Sequence, residues 1–267
     1  MQRLTLAETE LLHRPGNGPA LAMLHGIGSN AESWVPLMQA LPADWNLLAW
    51  WAPGYGASAR VGTAVPAAYA ARLGAVLDAL GITRARLLGH SLGCLFAGAF
   101  AAAAPARVAG LAFLSPALGY RVPPGAPLPE KVAARIDDLR ALGPAEFAAK
   151  RAARLVFRPE EKPAVLAAVR GAMGAVNLPG YADAVHALGA GDLLADAARL
   201  AMPALVASGA EDVVTPPANA QALHAALPAG SALHLIPGAG HALPQESPAA
   251  VAALLQHWFS AREGTRP

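Results

Sequence analysis

Short apolar runs of strand length alternate along the chain with longer stretches of helical spacing. The near-continuous apolar runs lie at 20–25, 46–51, 85–88, 108–114, 204–208 and 232–236. A strand with one wet face alternates polar and apolar residues. Runs without that alternation predict strands buried on both faces of a parallel sheet. Two further β-like runs, 3–8 and 10–13, predict an N-terminal hairpin. Helical patterns fall between the runs at 31–41, 66–80, 92–104, 217–227 and 248–261. Their ends are punctuated: Ser247-Pro248 supplies an N-cap and a first-turn proline, Pro217 sits in a first turn, and Gly81 follows Leu80 as a stop. The alternation predicts an α/β fold, with a mostly parallel central sheet of about eight strands flanked by helices.

One region departs from this rhythm. Between 121 and 200 there is no strand-like run. The region opens with Pro123-Pro124-Gly125-Ala126-Pro127-Leu128-Pro129, a stiff linker, and continues as helical patterns at 130–142, 144–156, 159–173 and 180–188. Strand-like sequence resumes at 204, so the region reads as an insertion. The expected organisation is a core built from 1–120 and 201–267 with a helical cap at 121–200. Its Leu and Val residues, with Phe157, Met173 and Tyr181, predict an apolar roof. Arg135, Arg151 and Arg154 stand at helical spacing and read as a solvated face, the alternative being contact with a substrate carboxylate.

Composition narrows the functional classes. The 267 residues are 55% hydrophobic and 14% charged, enough to bury a large core and incompatible with a disordered chain. A net charge of +2 without a basic run gives no footprint for nucleic acid or an anionic membrane. The single cysteine, Cys94, excludes an internal disulfide and a cysteine-cluster metal site, and reads as a packing residue. The N-terminus lacks a charged segment followed by an apolar one, so no signal peptide is expected. The most apolar stretch, 92–106, is shorter than the roughly 20 residues a membrane helix needs. A cytoplasmic protein is the expectation, and oligomeric state stays open.

The sharpest motif is Gly89-His90-Ser91-Leu92-Gly93, placed after an apolar run and opening an apolar helix. This strand–turn–helix setting is that of a nucleophile elbow, whose tight turn requires glycines where backbone comes close. A serine needs a base. His241, in Pro237-Gly238-Ala239-Gly240-His241-Ala242 after the last strand run, is the candidate. His224, His234 and His257 fall within regular elements, and His90 lies beside the serine but points away by the geometry of the turn. The base in turn needs a carboxylate that fixes its tautomer. Asp212 follows the run at 204–208, with Glu211 as its adjacent rival; an Asx cap ahead of Pro216 is the other role Asp212 suits.

The order Ser91, Asp212, His241 resembles that of the α/β-hydrolase superfamily, in particular serine esterases and enol-lactonases with a helical cap. The resemblance runs from about 18 to 259 and rests on His25-Gly26, on Pro53-Gly54-Tyr55-Gly56-Ala57-Ser58, on the elbow and on the two loops just named. It implies Ser91, Asp212 and His241 as a catalytic triad, with the backbone N–H groups of Leu92 and Ile27 as an oxyanion hole. It places His25, Gly26, His90 and Trp51 around the substrate. Relatives usually carry Asp where Trp51 stands, so Trp51 either narrows the pocket or packs beneath its loop. Dehalogenases and epoxide hydrolases of this fold use Asp in place of Ser91, and C–C hydrolases usually carry Asn in place of His90. The implied function is hydrolysis of a small apolar or aromatic carboxylic ester or lactone, with no metal or cofactor. A C–C hydrolase of ring-cleavage products or an acyltransferase or perhydrolase on the same triad is the first alternative. A non-catalytic ligand-binding protein is the second.

Overall fold

The computed structural model describes residues 1–123 and 125–262; Pro124 of the expected linker, and 263–267 at the end of the expected core segment, lie outside the described residues. Eight strands form one sheet: β1 (Gln2–Leu6), β2 (Thr9–Arg14), β3 (Ala20–Leu24), β4 (Asn46–Trp50), β5 (Ala85–His90), β6 (Val108–Leu114), β7 (Leu205–Gly209) and β8 (Ala232–Ile236). Their spatial order is β1-β2-β4-β3-β5-β6-β7-β8. β1 and β2 form the expected hairpin, β2 is antiparallel to β4, and every pairing from β4 to β8 is parallel. Ala7 (φ 45°) and Glu8 (φ 57°) both adopt the left-handed conformation that a two-residue hairpin loop demands. β5 and β7 are buried along their whole length, which is why their sequences do not alternate.

The helices are α1 (Val35–Ala40), α2 (Pro66–Ala79), α3 (Leu92–Ala103), α4 (Glu130–Arg151), α5 (Pro163–Gly174), α6 (Leu178–Ala190), α7 (Leu193–Ala197), α8 (Pro217–Ala226), α9 (Leu243–Glu246) and α10 (Pro248–Ser260). α1 packs with α10, while α2, α3, α7 and α8 pack in series. Phe96 of α3 anchors this side: its ring stacks on Tyr69 at 4.2 Å and meets the Trp50 ring edge at 5.9 Å. Between β6 and β7 the described residues hold helices and no strand, as the sequence pattern predicts. α4 kinks at Gly143 (φ 71°), between the two helical patterns expected on either side of it. α4 packs on α5 and α6, whereas α7 packs on α3 and α8. The insertion meets the core backbone to backbone: Gly54 and Gly180 touch, and Asn177 Nδ2 donates to the Gly54 carbonyl at 2.8 Å. No helix among the described residues is long and apolar enough to cross a membrane.

The order of the strands positions the functional site. After β3 the chain runs to β4 on one side, and after β5 to β6 on the other. The loops leaving β3 and β5 therefore diverge, which opens a crevice at the carboxyl ends of these two strands. The first turn of α3 lies directly against the end of β3, and Gly93 has no room for a side chain because a Cβ would overlap the Leu24 carbonyl. At Gly89 a Cβ would stand 2.6 Å from the Gly93 oxygen. Gly93→Ala is expected to lower stability by about 1–3 kcal/mol through overpacking. Denaturant unfolding checks this: the midpoint falls with the slope unchanged, and an unshifted midpoint refutes the close contact.

Candidate active site

Ser91 joins the last residue of β5 to the first residue of α3, at φ 52° and ψ −115°. A non-glycine residue in this region carries strain of order 1–3 kcal/mol, which the surroundings must hold. They do so through the backbone: Ser91 N–H donates to the Leu114 carbonyl at 2.9 Å, and the Ser91 carbonyl accepts from Cys94 and Ala117 N–H at 3.0 and 3.3 Å. Cys94 is buried with its thiol pushed well above the usual range by desolvation, a packing residue. Leu92 is the first residue of α3, so the helix itself cannot satisfy its N–H. Among the described residues the Ile27 N–H also finds no acceptor, while the neighbouring Gly28 N–H donates to Tyr55 Oη at 3.2 Å.

The loops after β7 and β8 bring Asp212 and His241 together. Asp212 Oδ2 lies 2.9 Å from His241 Nδ1. A carboxylate only accepts, so Nδ1 carries the ring proton and Nε2 is left as the bare nitrogen. The other carboxylate oxygen accepts from Val214 and Thr215 N–H at 2.8 and 2.9 Å. Burial pushes the Asp212 pKa up, but the His241 hydrogen bond and charge and these two N–H bonds outweigh it and hold it at about 2. Glu211, the rival in sequence, accepts instead from Ala239 N–H at 3.2 Å. Thr215, which sequence reasoning missed, stands among these groups: its Oγ1 is 3.0 Å from Asp212 Oδ2, 3.1 Å from His241 Nδ1 and 2.9 Å from the Ser115 carbonyl. The Asp-x-x-Thr spacing of a capping turn was the available signal.

None of the four residues expected around the substrate lines the main cavity. His25 donates from Nδ1 to the Gly26 carbonyl at 2.8 Å and accepts at Nε2 from Ala52 N–H at 3.0 Å. His90 Nε2 donates to the His241 carbonyl at 2.8 Å. Desolvation, chiefly, lowers their pKa values to about 4 for His25 and about 3 for His90. Both rings are neutral struts beneath the site. Trp51 packs under its loop, where the Arg3 guanidinium covers its ring at 4.2 Å and a Cβ on Gly56 would stand 2.8 Å from it. Gly26 is pressed against the serine, where a Cβ would lie 2.9 Å from Ser91 Cβ. Gly26 and His90 border only a recess of about 20 Å³ beside the main cavity.

That cavity, of about 580 Å³, is where the chemistry converges. Ser91, His241, Ile27, Leu92 and Thr215 line one part of it, and Leu118, Leu155, Met173, Tyr181 and Leu188 give an apolar part. The expected apolar roof is corrected here. Arg135, Lys150, Arg151 and Arg154 also line the cavity, and Phe157 does not. Periodicity separates two faces of a helix, but it cannot tell a face turned to bulk water from one turned to a wet cavity. A second missed residue is Glu246, whose side chain is fully buried. It accepts from Gly240 N–H at 2.9 Å, Phe157 N–H at 3.0 Å and Lys162 Nζ at 2.7 Å, tying the His241 loop to the insertion. The described residues hold no group of three or more His, Cys, Asp or Glu that could bind a metal.

A serine raised at the switch point of a parallel sheet, lining one cavity with a histidine that is bonded to a carboxylate from the later strands, is the arrangement of α/β hydrolases. The chain belongs to that family, matching the alpha/beta hydrolase fold over residues 19–248. A protein of Klebsiella variicola (strain At-22) named "Putative carbamate hydrolase RutD" is 31% identical over 260 residues, covering 91% of this chain and 90% of the relative. Two solved structures superpose with a TM-score of 0.86: a thermophilic esterase from Thermogutta terrifontis, 25% identical over 98% of this chain and 99% of that one, and the enol-lactonase from Burkholderia xenovorans LB400, 26% identical over 97% and 100%. Membership and relatives together support hydrolysis of a small molecule as the activity.

The two buried histidines set a pH dependence. In the unfolded chain each titrates near 6.5, whereas in the fold they stay neutral down to about 4 and about 3. The unfolded state therefore binds more protons below pH 6.5, and stability falls as pH drops, by about 1.4 kcal/mol per pH unit for each ring. Denaturant unfolding at pH 7, 6 and 5 is expected to show this decline. A flat profile across that window contradicts the buried neutral rings.

Proposed function

We propose that the chain is a serine hydrolase that cleaves a small carboxylic ester or lactone through an acyl-enzyme. The observation that carries this reading is that Ser91 and His241 line one cavity, while His241 Nδ1 is committed to Asp212 at 2.9 Å. With Nδ1 protonated, Nε2 is the nitrogen that takes the serine proton. Ser91 Oγ then adds to the substrate carbonyl, and the carbonyl electron pair moves onto oxygen. The Ile27 and Leu92 N–H groups donate to that oxyanion, the first without another protein partner and the second at the start of α3, where the helix dipole adds positive potential. Asp212 stabilises the imidazolium. The tetrahedral intermediate collapses, the C–O bond breaks, and His241 returns the proton to the leaving alcohol. Water activated by His241 repeats the sequence on the acyl-enzyme and frees Ser91.

The other groups have supporting roles in this scheme. His90 holds the His241 carbonyl, and Thr215 Oγ1 bonds Asp212 and His241 from the side. Segment 121–200 serves as a cap over the cavity, with Met173 and Tyr181 against the apolar part of the substrate. A second reading has the same attack fall on a carbamate carbonyl. It is favoured by the name of a relative at 31% identity over 91% of the chain.

Hydrolysis of p-nitrophenyl acetate, butyrate and octanoate tests the first reading, with a carbamate of matched size beside them. Ser91→Ala is expected to lower kcat by about 10⁴-fold or more, and Asp212→Asn by about 10⁴-fold. Acid-quenched mass spectrometry should find one acyl group on the peptide that contains Ser91. Turnover that survives Ser91→Ala, or the absence of an acyl adduct under burst conditions, overturns the proposal.

A further inference from the structure

The walls of the cavity carry charge of one sign. Four cationic residues line it, Arg135, Lys150, Arg151 and Arg154, and among the described residues no Asp or Glu does. The chain as a whole has 20 Lys and Arg against 18 Asp and Glu, so this is a local concentration and not the reflection of a basic protein. Little anionic charge stands nearby to cancel it. Lys150 and Arg151 share one carboxylate, Asp138, at 3.0 and 2.8 Å, leaving two positive charges against one negative. Arg154 donates to the Val213 carbonyl at 3.2 Å, a neutral acceptor.

Arg135 is the informative member. It stands three residues before Asp138 on α4, the spacing and order in which Arg158 pairs with Glu161. Asp138 is occupied by the other two cations, and among the described residues no carboxylate pairs with Arg135. Beside it stands Tyr181, a buried phenol on the same cavity that is hydrogen-bonded to Arg135; burial raises the Tyr181 pKa, Arg135 and Arg151 offset part of that rise, and the hydroxyl remains a donor. A guanidinium fork with a phenol donor at its side matches a carboxylate in geometry and charge. A neutral substrate would leave that fork to Tyr181 and water, with no anion to match its charge.

Resting on the serine hydrolase reading of the same cavity, we propose that the substrate bears a free carboxylate apart from the bond that is cleaved. Arg135 binds this group, with Tyr181 as a second donor and Lys150 and Arg151 adding to the positive field. The preferred substrates are thus half-esters of dicarboxylic acids, esters of hydroxy acids, or lactones carrying a carboxylate.

The test compares matched pairs by pH-stat. Monomethyl adipate against methyl hexanoate places the carboxylate on the acyl side, and 4-acetoxybutyrate against butyl acetate places it on the alcohol side. In at least one pair, kcat/KM for the anion is expected to exceed that of the neutral partner by tenfold or more. Arg135→Gln should lower that ratio roughly 10- to 100-fold, the span of a charge-assisted hydrogen bond, mainly through KM. Arg135→Lys should restore part of it, and added salt should erode it. A second arm needs no turnover: titration calorimetry of glutarate against glutaramide, on the wild type and on Arg135→Gln, with glutarate preferred only by the wild type. If esters are turned over with dependence on Ser91 but neither pair shows a preference and glutarate binds no better than glutaramide, the anion subsite is wrong and the hydrolase reading stands. If glutarate binding depends on Arg135 while no ester is cleaved, the subsite stands and the hydrolase reading falls. An Arg135→Gln variant that weakens both members of each pair equally also overturns the subsite, because it marks a structural role.

Discussion

Backbone-to-backbone packing where β3, β5 and α3 converge is the constraint on which the rest of the molecule depends. Gly93 sits against the Leu24 carbonyl, Gly89 against the Gly93 oxygen, and Gly26 against Ser91 Cβ. No side chain fits at any of the three. Their closeness bends the chain from strand to helix within one residue, and that residue is Ser91 at φ 52°. The strain is local and is held by hydrogen bonds to β6 and to the loop beyond it. The same contact brings the loop after β3 alongside the helix start, so that Ile27 and Leu92 line the cavity together with the serine.

A second layer holds this geometry from below. His25 and His90 are neutral and buried, one tying the β3 loop to Ala52 and the other tying the elbow to the His241 carbonyl. Each joins two loops from different strands, a task that suits an imidazole because one ring can donate at one nitrogen and accept at the other. Glu246 plays a similar part above them, joining the His241 loop to Phe157 and Lys162 of the insertion. The histidine is thus held at its carbonyl by the elbow, at its ring by Asp212 and Thr215, and at the neighbouring Gly240 by a carboxylate bonded to the insertion.

The distribution of charge follows a different logic. Some surface cations meet carboxylates three residues away, as Arg140 and Arg199 do. Cations on the cavity wall outnumber the carboxylates that could neutralise them. Such an excess raises the local concentration of anions near Ser91. The apolar surface of Met173, Tyr181 and Leu188 lies in the same space, so shape and charge act together in selecting what enters.

Much of this was legible in the chain itself. The absence of alternation in the strand runs determined a parallel sheet whose inner strands are buried on both faces, though the edge strand β8 is largely uncovered, and the glycine-flanked serine determined the elbow, because backbone approach leaves its mark directly in residue type. Ser91, Asp212 and His241 could be named from their places at the ends of apolar runs, and the break at Gly143 from its neighbouring proline. What only the tertiary structure decided was the use of each face. His25, His90 and Trp51 were near the site in sequence terms but point beneath it, where their polar atoms are consumed by backbone partners or their rings by packing. Arg135, Arg151 and Arg154 carry the periodicity of a solvated surface and also line a cavity, with Arg154 remaining exposed. Thr215 and Glu246 acquire their roles from partners up to 100 residues away. The physical reason is common to all of them: residue type and spacing encode what a side chain can do and which neighbours it has along an element, whereas the groups it meets across loops are set by how the elements cross.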